Sequence, residues 1–367
     1  MLRIQPGLPS GQMTRAVSAA SVLRCGAWDL FSRPLPFKVV GVATPQPLNA
    51  QPPSDGFPPG TELFGYRIEG VLGRGGMGAV YKATQLSLQR PIALKVLGGR
   101  FARSPQMAND FLREARATAK LTHQNLVMVH DVHAEPERGL YAYAMEYVPG
   151  TTLSQLITQQ GPLKRTAALH ITYQIAQALA AAHRADLIHR DIKPDNILVA
   201  PNGLTKVLDL GLVRDRLDGQ TVRSPGRRLL TIVGTPEWSA PEQSRDPDEA
   251  STASDVFSLG ATLFYILTGQ PPFNGNTVID LIVNVCTQEP AYPASIPRDC
   301  QHLLDLMLAK DPERRLSDGE AVVKALEDLA KGKTPKLDDT GSREFAAITP
   351  GRAAIPVRRR RRFRYRR

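Results

Sequence analysis

The sequence predicts an α+β fold, in which a small strand-built part is followed by a larger and mainly helical part. β-Branched and aromatic segments separated by turn residues come first, and apolar residues at helical spacing follow them. The predicted strands span residues 66–72, 79–85, 92–97, 126–132 and 141–147. No segment repeats along the chain.

Helices are predicted between and after these strands. Leu112, Ala115 and Ala119 recur at helical spacing in FLREARATAKL. Residues 166–183 form a long, Ala-rich apolar pattern, and helices resume at residues 254–267 after an interruption.

The two ends of the chain differ from its middle in composition and charge. Residues 1–60 are rich in Pro, Gly, Ser and Ala, which predicts a disordered lead-in. The net charge of +11 divides into five basic against two acidic residues in 1–60, 28 against 30 in 61–330, and 13 against 3 in 331–367. The middle is nearly neutral, so a nucleic-acid-binding surface that covers the fold is not supported.

Cysteine usage suits a reducing compartment, and hydropathy predicts no membrane-spanning segment. Cys25, Cys286 and Cys300 are widely spaced and odd in number, and they form no CxxC motif or disulfide framework. The best apolar run, residues 261–268, is under half of the roughly 18 residues that span a bilayer. We expect a cytoplasmic chain without a transmembrane segment, and peripheral attachment to the inner membrane surface stays open.

A glycine-rich segment, LGRGGMGAVY, lies between the first two predicted strands. Gly73, Gly75 and Gly78 form a GxGxxG pattern followed by Val80, and glycines let a backbone approach phosphate oxygens closely. The position between two strands argues against a Rossmann site, which begins a helix, and the GK[ST] ending of a P-loop is missing. A tight turn explains the same glycines, so this pattern alone does not decide.

Lys95 and Glu114 are candidates for an ion pair near this segment. Lys95 lies in the apolar strand IALKV, and Glu114 follows on the first predicted helix. A lysine in such a strand is more often a surface residue with a buried stem. The pairing therefore depends on the motifs that follow.

The segment IHRDIKPDNILV carries the most specific chemistry. Asp191 can accept a hydrogen bond from a hydroxyl and orient it towards phosphorus, and Lys193 can neutralise charge on a phosphoryl group in transfer. Asn196 can offer its carbonyl oxygen to Mg²⁺, which prefers oxygen ligands. Asp209 follows in VLDLG and supplies a second metal contact. The match is too long for an ordinary polar loop between helices.

Taken in order, these motifs resemble those of eukaryotic-like (Hanks-type) serine/threonine protein kinases, especially bacterial members with LGxGGMGxVY. The resemblance covers about residues 66–330 and consists of LGRGGMGAVY, IALK, the helical Glu114, MEYVPGTTL, HRDIKPDN, DLG, GTPEWSAPE and SDVFSLG. It implies the bilobal protein-kinase fold, with an antiparallel-sheet small lobe in residues 66–147 and a mainly helical large lobe in residues 148–330. Residues 331–367 are expected to form a disordered basic tail.

The resemblance implies an ATP-dependent enzyme that transfers the γ-phosphoryl group to Ser/Thr hydroxyls of proteins, its own activation segment included. The implied catalytic residues are Asp191, Lys193, Lys95 and Glu114, and the implied ligands of Mg²⁺, with Mn²⁺ as an alternative, are Asn196 and Asp209. The implied nucleotide-binding residues are Leu72, Gly73, Arg74, Gly75, Gly76, Met77, Gly78, Val80, Ala93, Lys95, Met145, Glu146, Tyr147 and Leu198.

Two features of the motifs bear on activity and on the acceptor. Leu210 stands in DLG where most of the family has phenylalanine, and it is still apolar, so Asp209 is expected to function. Lys193 and Thr235 of GTPEW favour Ser or Thr over Tyr as the acceptor.

The resemblance also implies structural and regulatory residues. Glu242 is expected to pair with Arg315, and Asp255 to brace the catalytic loop through backbone N–H groups. Arg190 before Asp191 indicates control by phosphorylation, because such an arginine can pair with a phosphorylated residue. The candidate phosphorylation sites are Thr231, which is preferred, Ser224 and Thr221.

The chain ends in VRRRRRFRYRR, which cannot pack into a core. Three interpretations stay open: attachment to anionic lipid, nonspecific nucleic-acid binding with stacking aromatics, or recruitment of acidic substrates or mere solubilisation of the protein. Formation of a homodimer for autophosphorylation also stays open. A pseudokinase scaffold is the main alternative to an active kinase, but scaffolds typically lose Lys95, Asp191 or Asp209, and all three are present.

Overall fold

The computed structural model describes residues 56–75, 77–209 and 236–337, and its architecture confirms the predicted fold class. A six-stranded antiparallel sheet comes first, in the strand order β1-β2-β3-β4-β6-β5. Its strands are β1 (Glu62–Leu63), β2 (Tyr66–Gly75), β3 (Gly78–Gln85), β4 (Arg90–Leu97), β5 (Val129–Glu135) and β6 (Leu140–Glu146).

A long helix packs on this sheet. A single turn, α1 (Gly99–Ala102), precedes this helix, α2 (Pro105–Thr118). The hydroxyl of Ser104 accepts a hydrogen bond from the N–H of Met107 and caps α2. Pro105 suits the first helical position because an N–H at that position has no acceptor within the helix, so a residue without an N–H loses nothing there. The apolar face of α2 packs against β5 and β6 through Phe111 and Leu112, which places Glu114 on the buried side of the helix.

The second part of the chain is mainly helical. Its helices in the described ranges are α3 (Leu153–Gln160), α4 (Arg165–Arg184), α5 (Pro241–Arg245), α6 (Thr252–Thr268), α7 (Val278–Thr287), α8 (Arg298–Leu308) and α9 (Gly319–Ala330). Helices α4 and α6 lie at the centre of its core because both are apolar around most of their circumference. At Gly319, a Cβ atom would lie 2.3 Å from the backbone nitrogen of Ala180, so only glycine permits α9 to approach α4 this closely.

Short elements complete the described part of the fold. A three-stranded sheet contains β7 (Thr151–Thr152), β8 (Ile197–Val199) and β9 (Thr205–Val207) in that order. Short 3₁₀ helices span Pro136–Arg138, Pro194–Asn196, Pro247–Glu249 and Pro312–Arg314. The turn Pro194–Asn196 leads directly into β8, so Asn196 immediately precedes that strand.

Among the described residues, the predicted elements agree with the structure except at one strand. The predicted strand 126–132 is wrong at its start, because β5 begins only at Val129. Leu126 and Val127 are apolar and buried for another reason: Val127 donates its N–H to the carbonyl oxygen of Val207 at 3.0 Å, and Leu126 forms an isolated bridge with the same residue. Hydropathy alone cannot distinguish that contact from a place in the large sheet.

None of the helices in the described ranges combines the length and the hydropathy that crossing a bilayer requires. Cys286 and Cys300 are free thiols, half-buried and buried respectively. Cys25 and the arginine-rich tail lie outside the described residues.

Glu242 and Arg315 form a buried ion pair between segments that are far apart in sequence. Arg315 Nη1 lies 2.6 Å from Glu242 Oε1, and Nη2 lies 2.9 Å from Oε2, which is a bidentate geometry. Ser254 donates a further hydrogen bond to Oε1 at 2.7 Å, and the guanidinium lies 4.9 Å from the ring centroid of Phe257. The pair ties α5 to the chain that precedes α9.

We expect Arg315→Ala to lower the free energy of unfolding by about 3–5 kcal/mol, because it leaves the carboxylate of Glu242 buried without its partner. Urea denaturation measures this change. The control is Arg184→Ala, which breaks the exposed Arg184–Glu320 pair and should cost no more than about 1 kcal/mol. Equal losses in the two variants would contradict the assignment of Arg315 as a structural ion-pair residue.

Candidate active site

A cleft of about 510 Å³ lies between the large sheet and the helical part. Its walls contain every described residue of the predicted nucleotide-binding set, and Gly76 lies outside the described residues. The predicted Glu114, Asp191, Asn196 and Asp209 line the same cleft. Residues from β2, β3, β4, α2, β6 and the loops around β8 and β9 thus meet at one place.

The glycine-rich hairpin between β2 and β3 forms the roof of this cleft. At Gly73 and Gly75 no other atom lies within 4 Å of where a Cβ atom would stand, so these two positions are open. Gly78 differs, because a Cβ atom there would lie 2.0 Å from the carbonyl oxygen of Val96. Gly78 is therefore needed for packing on β4, and the space for a ligand is at the other two glycines.

A compact charge cluster lies below the hairpin. Lys95 Nζ, on β4, is 2.9 Å from Asp209 Oδ2 and 3.6 Å from Glu114 Oε1. The hydroxyl of Tyr143, on β6, donates a hydrogen bond to Asp209 Oδ1 at 2.9 Å. The lysine ammonium lies between two carboxylates and is closer to that of Asp209.

The pKa values of this cluster follow from its burial and from this unequal sharing. Burial raises the pKa of Glu114 to about 7, against the lowering effect of Lys95. For Asp209, burial acts in the same direction, but Lys95 and Tyr143 outweigh it and lower the pKa. Burial disfavours the charge of Lys95, yet Asp209 and its other neighbours raise the pKa of the ammonium well above its usual value. Lys95 and Asp209 therefore form the fully ionised pair.

The second polar cluster contains Asp191, Lys193 and Asn196. Lys193 Nζ lies 3.3 Å from Asp191 Oδ2, and the side-chain nitrogen of Asn196 donates to the same oxygen at 2.8 Å. That nitrogen also donates to the backbone oxygen of Asp191 at 2.9 Å. Because the amide nitrogen of Asn196 is used by Asp191, its carbonyl oxygen is the atom with the chemistry to bind a cation.

Asp255 holds the loop that presents Asp191. Its carboxylate accepts hydrogen bonds from the backbone N–H groups of His189 and Arg190, both at 2.7 Å, and lies 2.9 Å from Nε2 of His183. Because Asp255 is fully buried, these hydrogen bonds take the place of the water that would surround an exposed carboxylate. The structure thus brings Asp255 to the backbone N–H groups that the sequence pattern had assigned to it.

Two residues of the site have left-handed backbone conformations, which residues other than glycine rarely adopt. Their φ angles are 66° at Arg190 and 42° at Asp209. Each is held by its surroundings: Arg190 by Asp255, and Asp209 by Lys95 and Tyr143. Such strain at a polar cleft is typical of functional sites.

Sequence analysis missed Tyr143 and Lys206. Lys206, on β9, lies with its Nζ 2.7 Å from Glu146 Oε2 and 3.3 Å from the backbone oxygen of Leu126, so the side chain of Glu146 is bound to the strand that leads to Asp209. Nothing in the local sequence pattern marks a tyrosine in an apolar strand, or a lysine within a short strand, as a residue of a functional site. Tyr143 and Lys206 reach the cleft residues Asp209 and Glu146 only through the pairing and packing of segments distant in sequence.

The activation-segment predictions cannot be placed. Thr221, Ser224, Thr231, Leu210 and Thr235 all lie outside the described residues.

Comparisons with known proteins agree with this site. The protein kinase domain family matches residues 66–327. The chain is 32% identical over 295 residues to the serine/threonine-protein kinase PknA of Corynebacterium glutamicum, which covers 79% of this chain and 62% of that protein. It is 35% identical over 277 residues to PknB of Mycobacterium leprae, covering 74% and 44% of the two chains. The match to PknA of Mycobacterium tuberculosis H37Rv is 35% over 301 residues, covering 80% and 67%.

The chain therefore spans about half to two thirds of the length of these curated relatives. A solved structure, Rad53 1–466 in complex with AMP-PNP, superposes with a TM-score of 0.59 at 26% identity and covers 72% of this chain and 65% of that one. The family match extends over most of the sheet and the helical part, and the cleft residues lie within it. This chain belongs to the protein kinase family, and it is similar to bacterial serine/threonine kinases.

Proposed function

We propose that the chain is an ATP-dependent serine/threonine protein kinase whose catalytic domain comprises residues 66–330. The observation that supports this most directly is the convergence of Lys95, Asp191, Asn196 and Asp209 on one cleft under a glycine-rich hairpin. Each has the chemistry that phosphoryl transfer needs, and a scaffold that had lost the reaction would not need all four.

The nucleotide would occupy the inner part of the cleft. Met145, Glu146 and Tyr147 line the cleft there. Met145 would lie behind the adenine ring, and the backbone of Glu146 and Tyr147 would bind its edge. Lys95 would bind the α and β phosphates, with Glu114 holding its ammonium from the helix side. Lys95 is closer to Asp209 than to Glu114 in this structure, so phosphate binding would draw it away from the Asp209 carboxylate.

The donor set also fits Mg²⁺. Asp209 offers a carboxylate and Asn196 an amide oxygen, and their backbones are linked because the N–H of Leu208 donates to the carbonyl oxygen of Asn196 at 2.8 Å. Mg²⁺ is usually held in proteins by one or two such oxygens together with substrate phosphates. When bound, the ion supplies positive charge that neutralises the phosphate oxygens.

Asp191 and Lys193 fit the acceptor side of the reaction. Asp191 would accept the hydrogen bond of a Ser or Thr hydroxyl and take its proton, while Asn196 holds the carboxylate through its side-chain nitrogen. The hydroxyl oxygen forms a bond to the γ-phosphorus as the bond from that phosphorus to the β–γ bridging oxygen breaks, and ADP leaves. Lys193 would offset negative charge on the phosphoryl group during transfer.

The disordered lead-in in residues 1–60 and the disordered basic tail in residues 331–367 stay predictions. The lipid, nucleic-acid and acidic-substrate interpretations of the arginine-rich tail concern residues outside the described ranges.

We expect Asp191→Asn to lower the rate of phosphorylation by about 10²–10⁴-fold, because the amide cannot take the hydroxyl proton. Intact-mass measurement after incubation with ATP and Mg²⁺ should show added phosphate on the wild type alone. The control is Asp186→Asn, an exposed residue near the same loop, which should phosphorylate normally. Equal phosphorylation by wild type and Asp191→Asn would refute the assigned role of Asp191.

Peptide mapping of the phosphorylated wild type should place phosphate first on Thr231 and not on Ser224 or Thr221. A phosphate adds a charge of about −1.5 to −2, which Arg190 can pair with. Thr231→Ala should then lower the rate towards an added protein substrate, whereas Thr221→Ala should not. Phosphate on Thr221 or Ser224 alone would show that the preferred site is wrong.

Glu114 gives a pH-dependent prediction, because its proposed role requires the ionised form while burial raises its pKa to about 7. A folded-state pKa above the usual 4.5 means that the protonated form stabilises the fold. That contribution is fully present below about pH 4.5 and is lost as the pH rises through about 7.

Relative to Glu114→Gln, which does not titrate, the wild type should therefore lose free energy of unfolding between about pH 5 and about pH 8. Urea denaturation at both pH values measures the difference. Glu137→Gln, at an exposed position, serves as the control and should show no such change. If the stability difference between the wild type and Glu114→Gln were independent of pH, the raised pKa would be wrong.

A further inference from the structure

Tyr143 contacts the metal-binding aspartate of the cleft and is itself buried. It lies on β6 with 2% of its surface exposed, and its ring packs 5.1 Å from the ring of Phe111 on α2. The strand around it, LYAYAME, is otherwise apolar towards the same cluster. The ring is therefore held in place by the sheet on one side and by α2 on the other.

The two oxygens of the Asp209 carboxylate have different partners. Oδ1 accepts the hydrogen bond of the Tyr143 hydroxyl at 2.9 Å, and Oδ2 lies 2.9 Å from Lys95 Nζ. A buried phenol beside a carboxylate stays protonated, so Tyr143 can only donate to Asp209. Its ring is wedged, whereas the four-carbon stem of Lys95 is flexible.

These partners differ in what nucleotide binding does to them. Under the proposed function, Lys95 turns to the phosphates and releases Oδ2. Tyr143 would lose one contact, since Lys95 Nζ lies 5.3 Å from its ring centroid, but Phe111 and the sheet would still hold the ring. After that change, Tyr143 would be the side chain among these contacts that still orients Asp209.

Asp209 needs such a contact because its backbone is strained. Its φ of 42° lies in the left-handed region, where a residue other than glycine is held only by its surroundings. The preceding residue is fixed from the helical part, since the carbonyl oxygen of Leu208 lies 2.8 Å from Nε2 of His189. The Tyr143 hydroxyl fixes the side chain from the side of the large sheet.

We infer that Tyr143 is a positioning residue for the metal: it fixes Asp209 through Oδ1 and leaves Oδ2 as the oxygen that binds Mg²⁺. The inference rests on the proposed function, because it requires a nucleotide-bound metal in this cleft. Hydrogen-bond donors that orient a metal-binding carboxylate typically contribute about 10–100-fold to metal affinity.

Tyr143→Phe tests this, because it removes the hydroxyl and keeps the ring against Phe111. ADP is titrated into the full chain by calorimetry, once in EDTA and once in saturating Mg²⁺. The ratio of the two dissociation constants reports the metal alone. We expect Tyr143→Phe to leave the Kd in EDTA unchanged and to reduce the tightening by Mg²⁺ about 10-fold or more.

Tyr81→Phe is the matched control. Tyr81 is a buried tyrosine of the same sheet, and its hydroxyl accepts a hydrogen bond from the N–H of Phe57 at 3.2 Å, a bond that does not involve Asp209. It should lose a similar amount of stability with no change in the Mg²⁺-dependent ratio. Adding Tyr143→Phe to Asp209→Asn should have no further effect on that ratio, since the tyrosine acts through the carboxylate.

Three outcomes would overturn the inference. An unchanged ratio in Tyr143→Phe, with clear tightening by Mg²⁺ in the wild type, removes the role of Tyr143 and leaves the proposed function intact. An equal weakening of ADP in EDTA and in Mg²⁺ shows a general loosening of the cleft and no effect on the metal. Absence of tightening by Mg²⁺ in the wild type itself contradicts both the inference and the proposed function.

Discussion

The structure of the cleft depends on one buried ammonium placed between two carboxylates. Lys95 comes from the sheet, Glu114 from α2, and Asp209 from the chain just after β9, so a single cation joins three segments that are distant in sequence. Two buried carboxylates without that cation would be costly, and one of them would take up a proton. Burial raises the pKa of Glu114, and Lys95 lies farther from Glu114, at 3.6 Å, than from Asp209, at 2.9 Å.

The second half of the site is organised by the buried side chain of Asp255. The carboxylate of Asp255, on α6, accepts hydrogen bonds from the backbone N–H groups of His189 and Arg190. These contacts maintain the left-handed backbone at Arg190. Asp191 is presented by that strained turn and is fixed further by Asn196 and Lys193. Asp191 thus lies on a loop, whereas Asp255, which positions that loop, belongs to a helix of the core.

Much of the fold could be predicted from local patterns. The long apolar helix at residues 166–183 and the strands on either side of the glycines correspond to α4, β2 and β3 within a few residues. The start of β5 could not be predicted, because Leu126 and Val127 are buried against Val207 and their hydropathy is the same as that of a strand. Burial shows that a residue is inside the protein and does not show which partner covers it.

The chemistry proposed for the site could be predicted from the sequence alone, because the proposed catalytic groups occur in short motifs whose residue types and spacing are typical of phosphoryl transfer. Other features needed the folded chain: which carboxylate Lys95 prefers, that Tyr143 donates to Asp209, and that Lys206 binds Glu146. These hydrogen bonds join residues separated by 60 positions or more along the chain. No periodicity connects residues at such separations, and the pairing of strands and the packing of α2 bring them together.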